Sequence, residues 1–138
     1  MFPSSSVRPL LFLLLFSISG IASAGNWMAV AEAVIEQVDA SEQAYRAGDV
    51  KGARQAVVGA YFGVFEERKM EAAMRMQLGA KHTYQVERLF GSLRKAVKQP
   101  DAGIQVAEVA AEIRQAMRRD AALLDEAGIP LTVYRVNQ

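Results

Sequence analysis

Apolar residues recur along most of the chain at three- and four-residue steps, and strand-type alternation is nearly absent. Trp27, Val30, Val34, Val38 and Tyr45 predict a first helix over about 26–47, with Gly48 ending it and Asp49 placed to cap the next. Val50, Ala53, Val57, Ala60, Tyr61 and Val64 make one face of a second helix, with Phe65 at its margin. Small residues at 53, 56, 59 and 60 predict close approach of a neighbouring helix on that side. Strong helix formers then predict a short helix near 69–78, broken at Gly79. Val86, Leu89, Phe90, Leu93 and Val97 mark a longer helix from about 81 to 98, which Pro100 stops. Asp101 is the expected cap of a last helix carrying Val106, Val109, Ala110, Ile113, Met117 and Leu124, which ends before Gly128 and Pro130. The expected fold is all-α: an antiparallel up-and-down bundle of about four helices, with 69–78 as a short crossing helix.

The beginning of the chain follows a different pattern. Arg8 precedes the compact apolar run "PLLFLLLFSISGI", and Ala22-Ser23-Ala24 supplies small residues at its end, the layout of a secretory signal peptide cleaved after Ala24. A membrane anchor needs about 20 apolar residues, and this run is shorter and interrupted by Ser17, Ser19 and Gly20. The expected division is therefore a signal peptide over 1–24, a bundle over 25–128 and a tail over 129–138, whose "LTVYRVNQ" has β-type residues without an obvious partner strand. After signal cleavage no apolar run is long enough to cross a bilayer, and a periplasmic or otherwise extracytoplasmic location is expected. The complete absence of cysteine rules out thiol redox chemistry, covalent haem attachment through Cys and Cys-ligated zinc.

Charge changes the picture through its distribution. The chain carries a formal net charge of +1, which offers no general attraction to nucleic acid or anionic membrane. Residues 25–67 are acid-rich and 68–98 base-rich, as expected of complementary faces on neighbouring helices or of a docking surface. Glu32, Glu36, Asp39 and Glu42 form an acidic stripe on the first helix. Like charges at these steps repel, so the stripe calls for a cationic partner. The 68–98 segment is the expected internal source, and Glu32, Glu36, Asp39, Arg88 and Arg94 are the candidate partner-docking residues.

Catalysis is not expected. His82 is the one histidine, and there is no Gly-rich phosphate loop, HExxH or nucleophile elbow. Metal binding has more to draw on in "YFGVFEERKMEAAMRM", residues 61–76. Glu67 and Glu71 stand at i, i+4, and with Glu66 they offer the oxygen ligands that hard iron prefers. His82 and Met70 are the next candidates. The blander reading is a solvated face on which Arg68, Lys69 and Arg75 screen the acids. Met74-x-Met76 with His82 would suit Cu(I), although residues two apart on a helix point to different sides and methionine is a common core filler.

Residues 41–97 resemble the extracytoplasmic N-terminal region of bacterial Ftr-type high-affinity iron permeases. Tyr45 with Ala47-Gly48-Asp49, Ala60-Tyr61-Phe62 with Phe65-Glu66, and Met76-Gln77-Leu78-Gly79 carry the likeness. Tyr84, Glu87, Phe90-Gly91 and Leu93-Arg94-Lys95 complete it. The resemblance implies a part in iron uptake, on the outer side of the inner membrane. The family's iron-handling Arg-Glu-x-x-Glu motif lies in transmembrane helices; here Arg68-Lys69-Met70-Glu71 lacks its first Glu, and no permease helix is present. The expected role is an accessory module that docks on an inner-membrane iron permease or presents iron to it. The alternatives are an interaction module for another envelope protein, or a periplasmic copper binder.

Overall fold

A computed structural model describes residues 26–132, so the predicted signal peptide and the end of the predicted tail lie outside the described residues. The elements are α1 (Trp27–Arg46), α2 (Val50–Val58) running directly into a π-helical segment (Gly59–Glu66), α3 (Met70–Gln77), α4 (Ala80–Ala96) and α5 (Gly103–Glu126). They form an all-α bundle in which α1 packs against both α2 and α5, α4 packs against α5, and α3 lies across α4. The α2–α4 side is the most sparsely packed of the four sides of the bundle.

The helix ends follow from local chemistry where the sequence carried a signal. Gly48 takes the left-handed conformation, φ +77°, and the Asp49 carboxylate accepts the Gly52 N–H at 2.8 Å to cap α2. Gly79, at φ +96°, separates α3 from α4 as its position suggested. Asp101 does not cap α5. It has a left-handed backbone, φ +57°, and the residue at the cap position is Ala102, which makes no side-chain cap bond. This connection is held instead from α1: the Tyr45 hydroxyl donates to the Gln99 carbonyl at 2.6 Å and accepts the Ala102 N–H at 2.8 Å.

The π segment changes which residues reach the core. Along α2 the buried positions step from Ala53 to Val57 to Ala60 at helical intervals, and the next is Phe65, five residues on. The i→i+5 hydrogen bonds of a π-helix widen the turn and delay its return to the core face, so Phe65 is fully buried while Val64 is only partly so. An α-helical phase carried through this stretch puts Phe65 at the margin, which is why sequence periodicity misplaced it. The small residues do admit α1: Ser41 donates to the Ala53 carbonyl at 2.8 Å, and a Cβ on Gly59 would stand 3.3 Å from the Gln37 carboxamide oxygen.

The core runs through all the helices and includes Trp27, Val34, Val38, Phe65, Met70, Met74, Leu93, Ile113, Met117 and Leu124. Burying each such large side chain contributes roughly 1.5–3 kcal/mol. The two ends of the described chain meet here. Asp125 on α5 accepts the backbone N–H groups of Trp27 at 2.9 Å and Met28 at 3.1 Å, capping α1 from across the bundle. The Trp27 indole N–H donates to the Ile129 carbonyl at 2.6 Å, and Ile129 and Leu131 are partly buried against the core.

Candidate functional site

The acidic stripe of α1 finds its cations on α5, not on the 68–98 segment. Arg118 donates to Glu32 at 2.8 Å, and Arg114 bridges Asp39 at 2.7 Å and Glu42 at 2.8 Å. The Arg118 hydrogen bond holds Glu32 below the ordinary carboxylate range. Burial opposes the charge on Arg114, yet its bonds to Asp39 and Glu42 outweigh that and raise its pKa. The correction is topological: α5 lies along α1 for most of its length, a neighbour that charge counting by segment could not identify. Glu36 and Arg88 are exposed and form no ion pair among the described residues.

The five candidate metal ligands occupy different surroundings. Met70 is fully buried in the core, and Glu66 and Glu67 are exposed. Glu71 accepts from Arg75 at 2.7 Å, and the same Arg75 nitrogen donates to Glu87 at 2.8 Å. His82 faces away from this group, with its Nε2 2.9 Å from the fully buried Asp120 carboxylate, which Arg119 also holds at 2.9 Å. Among the described residues no three His, Asp or Glu side chains converge as a metal site. Met74 is buried and Met76 is 73 % exposed, so the two thioethers point apart.

The Glu71–Arg75–Glu87 bridge sits beside Tyr61 and joins α3 to α4. Although Arg75 touches Glu87, the pKa of Glu87 is raised, first by burial and then by the neighbouring Glu71 carboxylate. One exposed guanidinium shared by two acids does not neutralise both. The Tyr61 hydroxyl is pushed up to about 12, again by burial first and then by the charges of Glu71, Glu87 and Glu66 against the opposing Arg75.

Next to this bridge, on the sparsely packed α2–α4 side, lies a groove. Its apolar part is a cavity of ≈ 150 Å³ formed by Val57, Val58, Tyr61, Phe62, Phe90 and Gly91. Tyr61 and Phe65 both pack on Phe90, with ring centroids 5.4 and 5.3 Å away, so the cavity is backed by an aromatic cluster. Val58 is 42 % and Phe62 51 % exposed, which leaves apolar surface at the cavity's rim. Through Val58 and Arg94 the groove continues into a wider cavity of ≈ 510 Å³ rimmed by Lys51, Arg54, Arg94 and Lys98. None of these four cations pairs with a carboxylate among the described residues.

Of the candidate docking residues, the groove contains Arg94. The signals for the others were present but unremarked. Lys51, Arg54, Val58 and Phe62 recur at steps of three and four along one helix face, and Gly91 and Arg94 do so on the facing one, with Lys98 four residues further on, just past its end. Asp120 had no such signal, since a lone aspartate in a helix shows its partner only after folding.

No protein-family model matches the chain, and neither the curated proteins nor the solved structures yielded a match. Among the described residues no helix is long and apolar enough to cross a membrane.

Proposed function

We propose that this chain is a non-enzymatic, extracytoplasmic docking module that assists an Ftr-type iron permease, with the α2–α4 groove as its contact surface. The observation that carries the reading is a convergence. Pieces of the permease resemblance that are far apart in sequence, Tyr61-Phe62 on one side and Glu87, Phe90-Gly91 and Arg94 on the other, line one cavity. An exposed apolar cleft bordered by cations is a surface suited to a partner. Docking is favoured over presenting iron because the candidate oxygen ligands are dispersed or held by Arg75.

The test is co-purification of the exported chain with an iron permease encoded beside it, together with uptake of radioactive iron by cells with and without the chain. Association and a fall in uptake on deletion are expected. No association and unchanged uptake would remove the permease role and leave an interaction module for another envelope protein. Iron binding by the isolated chain that is lost in a Glu66, Glu67 and Glu71→Ala variant would restore the iron-presenting role.

A further inference from the structure

We propose that the α2–α4 groove receives an acidic segment of a partner protein that carries one aromatic or large aliphatic anchor residue; this rests on the docking reading above and specifies its chemistry. The ≈ 150 Å³ apolar cavity is of the size that holds a single aromatic ring. It is recessed between two helices, with Phe62 as a wall. The buried Val57 and Phe90 lie at its base, and the exposed Gly91 lines its α4 edge, where a Cβ would meet no atom within 4 Å. Glycine in a helix interior weakens the helix, and no close packing requires it at this position. Its missing side chain leaves that edge of the cavity open.

The charge beside the cavity specifies the rest. Lys51 and Arg54 stand at i, i+3 on α2, with Arg94 on α4 and Lys98 just past its end, so like charges gather around the wider part of the groove. Arg46, Arg75, Arg114, Arg118 and Arg119 each have a carboxylate partner within the molecule, whereas Arg68, Lys69, Lys81, Arg88 and Lys95 have none among the described residues. The groove's four cations are likewise unpaired among the described residues, and what distinguishes them is that all four border one cavity that opens beside the apolar one, so carboxylates that complement them together come from outside. A second copy of the chain is the competing source, through exposed acids such as Glu36, Glu108 and Glu112 that form no ion pair among the described residues, and self-association that Arg94→Glu abolishes would overturn the proposal. A lipid surface is disfavoured, since the apolar cavity is recessed and seats one side chain rather than projecting into a bilayer.

Selection of random linear peptides on the exported chain tests this, with Gly91→Trp, which fills the cavity, as counter-screen. Enriched peptides should hold an aromatic or large aliphatic residue beside Asp or Glu. They should bind Gly91→Trp at least about tenfold more weakly and lose affinity as salt is raised. Circular dichroism establishes that Gly91→Trp is folded, and Arg94→Glu provides an independent loss of binding should it not be. Peptides without acidic residues, no enrichment over the counter-screen, or equal binding by Gly91→Trp and Arg94→Glu would each overturn the proposal. So would phosphatidylglycerol vesicles binding wild type and Gly91→Trp alike in the absence of peptide enrichment. Permease association that survives Gly91→Trp would sink the groove and spare the docking reading. Acidic peptides that bind in the groove without permease association would do the opposite.

Discussion

Asp125→Ala should destabilise the protein more than loss of any cap visible in the sequence. In the folded chain its two carboxylate oxygens accept the first N–H groups of α1, from Trp27 at 2.9 Å and Met28 at 3.1 Å. Asn26, at the local cap position, makes no side-chain cap bond. Losing an N-cap costs about 0.5–2 kcal/mol, and hydrogen bonds to a charged group stand at about 1.5–3 kcal/mol. These describe the same contact and do not add. The site is partly buried and beside the core residue Trp27, so water replaces the carboxylate poorly, and about 2 kcal/mol is expected. With an unfolding entropy of about 2.1 cal/mol/K per residue, that lowers Tm by about 9 °C for a domain of this size. Thermal and urea unfolding by circular dichroism would measure it against two controls. Asp49→Ala removes the exposed local cap of α2 and should cost about 1 kcal/mol; Asn26→Ala should cost close to nothing. If Asn26→Ala matches Asp125→Ala, or Asp125→Ala is no worse than Asp49→Ala, the cross-bundle cap is not what holds the start of α1.

Glu87→Gln should become relatively more stable than wild type as pH rises from about 4 to about 7. Because the folded pKa of Glu87 is raised, its stabilising contribution is complete below the unfolded value and lost as pH rises through the folded one; parallel urea midpoints for the two proteins would contradict this. Tyr61 should ionise only at about 12, and ultraviolet titration should show a late-ionising component that disappears in Tyr61→Phe. Here too the contribution is complete below the ordinary tyrosine range and lost as pH rises through about 12; the absence of any such late component in a still-folded protein would refute it. Tyr45→Phe should cost about 1 kcal/mol and speed amide exchange at Ala102, because that N–H loses its acceptor. Unchanged exchange there would show that the hydroxyl does not pin the α4–α5 connection.

The helices and their breaks were legible because they depend on residues close together in the chain. Apolar spacing is read directly as a helix face, Gly48 and Gly79 as backbone reversals, and Asp49 as a cap for an N–H three residues away. The all-α bundle follows once several such faces must be buried together. Where the sequence reading failed, a neighbour distant in sequence or a change of helical repeat had decided the outcome. Phe65 entered the core because the π segment replaced the α repeat. Asp101 gave up the capping position because Tyr45, from α1, holds that connection.

The candidate site divides in the same way. Sequence by itself determined which residues could share a helix face, and so placed Lys51 and Arg54 along one ridge and Gly91 and Arg94 along another. Only the tertiary structure set those ridges side by side as a groove, while turning α1's acids toward Arg114 and Arg118 of α5. The physical reason is that helical periodicity fixes the direction of each side chain about its own axis. Which axis lies opposite is decided by burial of the core, and that choice left some charges paired inside the molecule and the four of the groove facing outward.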